Sequence, residues 1–413
     1  MKLNINKFSI IRCIEILILI MLLIAIGILA MARKDYANLQ KYKLQCSPDN
    51  QSACAKYLFL ESWIDVKNES YTTNLDKQDW NYWKNRYIDK IETIDDAYVA
   101  IDTMLDSLDD PYTRFLTPDE VNDQNMNISS ELSGIGVVIS SQDGKIKVED
   151  IIENSPAVAN DIKIGDMILK IDDISVSGFD IRKIANMIRG EAGTNVKLLI
   201  MRNNKTFTKS ITRKKITIKS VHHKMLKNNI AYIRIGTFMS QSAAAEFLNA
   251  LKETSSARGV VLDLRGNQGG LLQNATFVSN MLLKEGTIVS VHKKGNATET
   301  IKVQPSGTHT DKPVVVLTNG LCASACEILA AALQDNDRAY LVGEKTYGKG
   351  LIQKIMPLPL HTAVNVTIAK YLTPDGHDIH KQGIKPDYEV KITAADIKAH
   401  KDPQLDKAIE LLK

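Results

Sequence analysis

One serine of this chain stands where nucleophiles are often placed, between an apolar strand pattern and a helix pattern. The run Asn319–Glu327 reads NGLCASACE and follows the apolar stretch VVVLT. Ser324 is therefore predicted at the start of a helix, where outward-pointing backbone amides can stabilise an oxyanion. A serine at that position is more often a simple N-cap. A catalytic role therefore requires a base that activates its hydroxyl.

The base that the sequence offers is a lysine. No GxSxG motif surrounds Ser324, and no histidine stands in a recognisable relation to it. Lys349 lies in the run GEKTYGKG, residues 343–350, where its flanking glycines permit close backbone approach. A free lysine has a pKa of about 10.4, and burial can lower it to ~7–8, where the amine accepts a proton. Lys345 is a competing base, because spacing alone does not exclude it. The phosphate-binding pattern GxxxxGK[ST] is not matched.

A glycine-rich run is the third motif with possible chemistry. It reads LDLRGNQGG, residues 262–270, and lies between a strand pattern and a helix pattern. Gly269 and Gly270 can bring a backbone N–H close to a reacting carbonyl. The same pattern is also typical of an ordinary turn, so it supports a site only together with Ser324 and Lys349.

The elements that position these motifs form an α/β pattern. From residue 220 to 395, short apolar runs alternate with helical stretches, which is typical of α/β layers. Residues 133–219 form a separate compact unit of alternating strand patterns with one longer helix. Residues 77–108 have amphipathic helical spacing, whereas residues 33–75 resemble a stalk or an irregular lead-in. The predicted segments are 1–34, 35–132, 133–219, 220–395 and the helical tail 396–413.

The composition is that of packed globular domains. The chain has 413 residues, 44% of them hydrophobic and 24% charged, and at roughly 100–200 residues per domain this predicts two or three domains. The net charge of +4 is small and no basic run is interleaved with aromatics, which argues against nucleic acid as a partner. Because neither HExxH nor CxxC occurs, we expect no metal. Cys46 and Cys54 either form a disulfide in an oxidising compartment or remain free thiols.

An apolar segment near the N-terminus predicts a membrane helix. Ile16 to Met31 reads ILILIMLLIAIGILAM without a charge, and a spanning helix needs about 17–25 mostly apolar residues. We favour a signal anchor within residues 1–34. The rival is a cleaved signal peptide, because Ala30-Met31-Ala32 has the small-x-small pattern of a cleavage site. The numbers of lysines and arginines before and after this segment are nearly equal, so the positive-inside rule does not fix its orientation. We prefer the orientation in which most of the chain is exported, because signal-like segments usually insert that way.

Together the motifs resemble those of the carboxyl-terminal-processing, or tail-specific, proteases. The resemblance covers about residues 75–395. Its specific runs are LDDPYTRFL, LDLRGNQGGLL, VVVLTNG, CASACE, AALQDNDRA, LVGEKTYGKGLIQ, YLTPDG and GIKPD, in the order of the family. It implies a serine endopeptidase with a Ser-Lys dyad that cleaves proteins near their C-termini. The residues that the resemblance assigns are Ser324 as nucleophile, Lys349 as base, Gln353 as the group orienting the lysine, Glu327 as a supporting residue, and the amides of Ala325 and of Gly269 or Gly270 as the oxyanion hole.

Residues 133–219 resemble a PDZ domain. Its carboxylate-binding loop would contain Gly134, Ile135, Gly136 and Val137, and a chain terminus would add there as a strand at the sheet edge. The implied fold is α/β, with a crotonase-like protease core, an inserted PDZ domain of α+β type and an N-terminal transmembrane helix.

The expected partners follow from that resemblance. They are protein substrates with exposed, apolar C-terminal tails, the membrane through the anchor, and a second copy of the chain in a homo-oligomer. We expect no cofactor. The expected location is the cell inner membrane, single-pass, with the bulk in the periplasm or extracytoplasmic space. The alternative function is a catalytically silent PDZ adaptor that binds protein C-termini.

The chain departs from the family pattern beside the nucleophile. Cys322 and Cys326 stand where serines are common, and Gln268 stands where proline is common. Neither change removes a reacting group. The cysteines are interpreted as small buried residues, with a redox-sensitive Cys326 as the alternative.

Overall fold

The structure, a computed structural model, describes residues 18, 19, 21 and 33–413 except 130, 143–144 and 305–309. The predicted anchor, Ile16 to Met31, lies almost wholly outside these residues and stays a prediction. In the part of the chain that is described, no helix has both the length and the apolar character that crossing a membrane requires.

The chain forms two compact units. The first comprises the described residues up to Val121 together with Lys293–Gly295 and Ile352–Ala369. The second comprises Asn122–His292, Asn296–Leu351 and Lys370–Lys413.

The first unit is mainly helical. Its helices are residues 33–45, Gln51–Glu69, Thr73–Asp76, Trp80–Tyr87 and Ile94–Asp106, and Pro118–Ser129 continues from it into the second unit. Two of these confirm the helical pattern predicted over 77–108. Its strands are Arg114–Leu116, which pairs antiparallel with Ala363–Leu372, and Leu351–Pro357, which also pairs with Ala363–Leu372.

The interpretation of residues 33–75 as a stalk or irregular lead-in is wrong. Gln51–Glu69 is a 19-residue helix whose buried side chains include Leu58, Phe59 and Trp63. Trp63 donates its indole N–H to Trp80 O at 2.8 Å, and Trp80 donates to Trp63 O at 3.1 Å. The helix therefore belongs to the core of the first unit.

Cys46 and Cys54 form a disulfide in the first unit. Cys54 lies in the first turn of Gln51–Glu69, and Cys46 follows the helix of residues 33–45. The bridge fixes the turn between two helices, and it decides between the two alternatives left open for this pair.

The second unit contains the module predicted at 133–219. Its sheet has Val137–Gln142 at one edge, followed by Lys145–Ile151, Met167–Ile171, Asn195–Arg202 and Lys205–Thr212, with Ile174–Ser175 beside Met167–Ile171. The helices are Pro156–Ala159 and Ile181–Ile188. A two-stranded ribbon, Glu131–Gly134 with Lys214–Thr217, closes the module at its base. The buried core is aliphatic and includes Val148, Ile184 and Leu198.

The remainder of the second unit is a six-stranded sheet with helices. The strand order is Val221–Leu226, Ile230–Ile235, Gly259–Asp263, Val314–Thr318, Ala339–Gly343 and Tyr388–Glu389, and all pairs after the first are parallel. Gly259–Asp263 and Val314–Thr318 are buried throughout, as expected for central strands covered on both faces. The α/β prediction is confirmed. The helices are Ala243–Glu253, Leu272–Leu282, Ala325–Asp335, Ala394–Lys398 and Pro403–Leu411, and a hairpin joins Thr287–Lys293 to Thr298–Lys302.

Candidate active site

Three loops meet at the carboxyl ends of neighbouring parallel strands. We name them the glycine loop (264–271), the serine turn (319–324) and the lysine loop (344–350). They follow Gly259–Asp263, Val314–Thr318 and Ala339–Gly343, which are adjacent in the sheet in that order. The carboxyl edge of a parallel sheet is where α/β proteins usually place their sites.

Ser324 has an unusual backbone conformation. It is the residue before the helix Ala325–Asp335, with φ 58° and ψ −122°. N-cap residues normally have β-region dihedrals, and a residue with a side chain rarely adopts a positive φ outside glycine-like turns. Such strained positions cluster at functional sites, the sharp strand-to-helix turn of other serine hydrolases being one example. The predicted position at a helix start is confirmed, and the backbone differs from that of a simple cap.

A buried carboxylate ties the serine turn to the lysine loop. Glu327 is 0% exposed. Its Oε2 accepts hydrogen bonds from Ser324 N at 2.9 Å and Lys349 N at 2.8 Å. Its Oε1 accepts from Gly348 N at 2.7 Å and Thr346 Oγ1 at 2.5 Å. One side chain thus fixes the backbones of both predicted reacting residues.

The two lysines of the lysine loop differ in their surroundings. Lys349 is half-buried, whereas Lys345 is exposed. Gly348 has φ +91°, and an added Cβ there would lie 2.8 Å from Gly383 N; at Gly350 it would lie 2.9 Å from His380 N. The glycines beside Lys349 therefore permit the close backbone approach expected from the sequence.

Tyr371 is a residue of the site that the sequence analysis missed. Its ring is 1% exposed, and its hydroxyl lies 2.6 Å from Lys349 O and 3.1 Å from Ser324 O. The phenol has one proton, so it donates to one carbonyl at a time. A tyrosine inside an apolar strand pattern was the available signal, since buried tyrosines usually find a partner for the hydroxyl.

Gly269 packs directly against the serine turn. A Cβ at Gly269 would lie 2.5 Å from Ala323 O and 2.9 Å from both Ser324 Cβ and Ala325 N. The Gly269 amide donates to Asn267 Oδ1 at 2.8 Å. By contrast, the Gly270 amide has no hydrogen-bond acceptor among the described residues, and Ala325, as the first helical residue, has no intrahelical acceptor.

The glycine loop is anchored by an ion-pair network beneath it. Arg265 donates to Asp263 Oδ2 at 2.7 Å and to Asp402 Oδ2 at 2.9 Å. Burial opposes the charge of Arg265, but these carboxylates outweigh it and raise its pKa above the ordinary value. Burial and a 2.6 Å hydrogen bond to Asp263 Oδ2 raise the pKa of Tyr232 to about 12. The network holds the strand end that leads to Gly269.

The remaining predicted residues are Gln353 and those of the carboxylate-binding loop. Gln353 belongs to the first unit, where its side-chain amide donates to Thr367 Oγ1 at 3.3 Å. Its role toward Lys349 stays a prediction. In the module, Ile135 and Gly136 connect Glu131–Gly134 to the edge strand Val137–Gln142, and Gly136 has φ +83° with no room for a Cβ beside Ser155.

Cys322 and Cys326 form a second disulfide, which the sequence analysis did not anticipate. Both residues are 0% exposed, so the interpretation as buried residues is confirmed, although the pair is covalently linked. Their spacing of four gave no signal, because it matches none of the recognised cysteine motifs.

Comparisons with known proteins bear on the family to which the chain belongs. Residues 229–390 match peptidase family S41, and residues 133–212 match the PDZ domain. A carboxyl-terminal-processing protease of Picosynechococcus sp. is 38% identical over 370 residues, covering 86% of this chain and 88% of the relative. The carboxy-terminal processing protease CtpA of Bacillus subtilis is 38% identical over 315 residues, covering 75% and 67%. The solved structure of a photosystem II D1 C-terminal processing protease aligns with a TM-score of 0.55 at 30% identity, covering 82% of this chain and 93% of that one. The family resemblance found in the sequence is thereby confirmed, and this chain belongs to the carboxyl-terminal-processing proteases, serine-type peptidases of family S41 that carry a PDZ domain.

Proposed function

We propose that this peptidase cleaves proteins near their C-termini with a Ser-Lys dyad, in which Ser324 is the nucleophile and Lys349 the general base. The observation that carries the proposal is the Glu327 carboxylate, whose Oε2 accepts from the amides of both residues. A dyad needs its two backbones in fixed register, because a serine hydroxyl is a poor nucleophile without a positioned base. The exposure of Lys345 argues against it as the base.

The oxyanion hole in this proposal consists of the Ala325 and Gly270 amides. Both are without an acceptor among the described residues, while the Gly269 amide is occupied by Asn267. The role of Gly269 in this proposal is steric: because it has no side chain, it leaves room for Ser324. Preorganised amides of this kind are worth about 10²–10³ in kcat each.

The reaction follows from these roles. Neutral Lys349 takes the proton of Ser324 Oγ as the oxygen attacks the peptide carbonyl carbon, and the two amides bind the resulting oxyanion. Collapse of this intermediate breaks the peptide bond, and the lysinium gives its proton to the leaving amine. Water, deprotonated by the same lysine, then hydrolyses the acyl-enzyme and restores Ser324. Gln353 is proposed to orient the lysine.

The PDZ domain is proposed to bind the substrate tail. Its edge strand Val137–Gln142 has a free side in the described sheet order, and the helix Ile181–Ile188 contacts this strand. A C-terminal peptide would add there as a further strand, with its carboxylate on the amides of Gly134 to Val137. Relatives named for C-terminal processing support this choice of substrate.

Three single variants test the catalytic proposal. We expect Ser324→Ala and Lys349→Ala to lose cleavage of a protein with an apolar C-terminal tail, and the matched control Lys345→Ala to retain it. Loss in Lys345→Ala with activity in Lys349→Ala would reverse the assignment of the base. If the parent itself cleaves no substrate and yet binds tail peptides, the silent-adaptor alternative is favoured.

The location of the folded chain is proposed to be extracytoplasmic, held at the inner membrane by the predicted anchor. Two disulfides among the described residues support an oxidising compartment, because such bonds rarely persist in a reducing cytosol. Fractionation of cells that make the chain with a C-terminal tag, followed by protease treatment of intact spheroplasts, tests this. Protection of the tag from protease would contradict it. A homo-oligomer stays a prediction.

A further inference from the structure

The Cys322–Cys326 disulfide encloses Ser324 in the chain. Ser324 is the central residue of the five that the bridge closes, and the Ala325 amide lies within the same ring. Both cysteines are 0% exposed. The proposed mechanism uses no sulfur atom, so it gives this disulfide no function.

The residue inside the ring is held away from its preferred backbone conformation. Ser324 has φ 58° and ψ −122°, and a side-chain-bearing residue keeps such dihedrals only where its surroundings enforce them. Relaxation of this one residue would move Oγ relative to the Ala325 N–H, because the ψ angle of Ser324 sets the Ala325 peptide plane against the Cα–Cβ bond. Any group that enforces the dihedrals therefore also sets the attack geometry.

The two ends of the bridge are fixed to different elements. On one side, Cys322 N donates to Asn319 O at 2.9 Å and Cys322 O accepts from Tyr347 N at 2.9 Å, which joins it to the lysine loop. On the other side, Cys326 belongs to the first turn of Ala325–Asp335, with its N–H on Ala323 O at 3.1 Å. The disulfide thus joins Cys322, which is hydrogen-bonded to the lysine loop, to Cys326 in the helix, and Ser324 lies between the two cysteines in the chain.

We propose that the Cys322–Cys326 disulfide is a positioning element that holds Ser324 in its left-handed conformation, so that catalytic turnover depends on the bridge. The inference rests on the proposed role of Ser324 as the nucleophile. A ring of so few residues restricts the unfolded chain only modestly. Its main effect is therefore local, on the nucleophile, rather than on global stability.

The Cys46–Cys54 disulfide provides a matched control. It also closes a short loop at a helix start, with a sequence separation of 8 against 4, and it lies in the other unit. The two bridges thus have comparable chain-entropy effects. Only one of them encloses a site residue.

The experiment compares Cys322→Ser/Cys326→Ser with Cys46→Ser/Cys54→Ser in the full-length protein. For the first pair we expect kcat to fall about 10²-fold, the cost of a small misplacement of a reacting group, with KM little changed because tail binding uses the PDZ domain. For the control pair we expect kcat and KM close to those of the parent. Equal effects of the two pairs on kcat, or full kcat in the first pair, would overturn the proposal.

Reduction provides a second arm that does not depend on the folding of a double variant. In the Cys46→Ser/Cys54→Ser background, a dithiol gives two electrons and two protons to the buried bridge and itself becomes a cyclic disulfide, leaving two thiols. Alkylation measures the number of thiols formed, and we expect kcat to fall when two new thiols per chain are detected. We expect kcat to recover when oxidised glutathione reoxidises the two thiols to the disulfide. Unchanged kcat with both thiols free would refute the proposed positioning role of the disulfide. If Ser324→Ala is inactive in the same assay, the assignment of Ser324 as nucleophile stands even when the positioning role is refuted.

Discussion

Replacing the buried carboxylate of Glu327 by an amide should lower both the catalytic rate and the stability of the protein. Glu327→Gln keeps the shape of the side chain but exchanges one acceptor oxygen for an NH2 group. Each oxygen now accepts two hydrogen bonds, from Thr346 Oγ1 and Gly348 N or from Ser324 N and Lys349 N. If the new NH2 group faces Thr346 and Gly348, the Thr346 hydroxyl can turn to accept from it, and only the Gly348 amide then faces another donor. If it faces Ser324 and Lys349, both of their amides face another donor.

The magnitude follows from the number of donors left without an acceptor. A buried donor without a partner costs about 1–3 kcal/mol, so the variant loses about 1–3 kcal/mol in the first orientation and about 2–6 kcal/mol in the second. At about 1.4 kcal/mol per factor of ten, a loss of ~3 kcal/mol in the active arrangement lowers kcat about 10²-fold. Because the amides that lose their acceptor belong to the residues of the dyad or to the loop beside them, we expect the loss to appear in kcat as well as in the free energy of unfolding.

The control is Glu246→Gln, which changes a half-buried carboxylate that also accepts from two backbone amides and a hydroxyl but belongs to none of the three loops. Glu246 accepts from Ser220 N at 2.7 Å, Val221 N at 2.9 Å and Ser242 Oγ at 2.5 Å. Urea unfolding and steady-state cleavage of a fluorogenic tailed peptide are measured for both variants. We expect both variants to lower the free energy of unfolding, Glu246→Gln by less because its carboxylate is half-buried, and only Glu327→Gln to lower kcat. An equal fall in kcat for both variants would refute the argument.

Three further predictions concern other parts of the chain. Gly269→Ala adds a Cβ that would lie 2.9 Å from Ser324 Cβ, and we expect kcat to fall at least about 10²-fold. The control is Gly193→Ala, because Gly193 also has a positive φ, +91°, but has open space around it. This control variant should leave kcat unchanged. Tyr371→Phe removes one hydroxyl between two carbonyls and should lower the free energy of unfolding by about 1 kcal/mol, read by urea titration, with a fall in kcat of no more than about tenfold. Burial, with two glutamates a turn away on the same helix, raises the pKa of Asp65 to about 6. The folded state then binds more protons than the unfolded state between pH ~4 and ~6, so stability falls as pH rises through that range. Asp65→Asn should raise the free energy of unfolding at pH 7.5 by about 1 kcal/mol, a value that is reduced because Asp65 is partly exposed. The same variant should change the free energy of unfolding little at pH 4. Equal stability of variant and parent at pH 7.5 would contradict this prediction.

Much of the second unit could be predicted because its patterns are local. The strand Val314–Thr318 has the bounds of the apolar run VVVLT, and the alternation of such runs with helical stretches over residues 220–395 predicted the α/β layers. Ser324 and Lys349 follow such strands, and parallel strands bring their carboxyl ends to one edge.

The features that escaped prediction depend on contacts between distant residues. The helix Gln51–Glu69 buries side chains on several faces, so it lacks the single apolar stripe by which a helix is recognised. The partners of the Tyr371 hydroxyl lie 22 and 47 residues away in sequence. Gly269, which is distant in sequence, packs against Ser324, and the residue type at position 324 does not indicate its positive φ.

The central claim, that Ser324 is a nucleophile activated by Lys349, is tested most directly by covalent labelling. The full-length protein is treated with a serine-reactive phosphonate, and the modified residue is located by mass spectrometry of its peptides. We expect one adduct, on Ser324, formed in the parent and in Lys345→Ala and nearly abolished in Lys349→Ala. Modification of another serine, or undiminished labelling of Ser324 in Lys349→Ala, would contradict the claim.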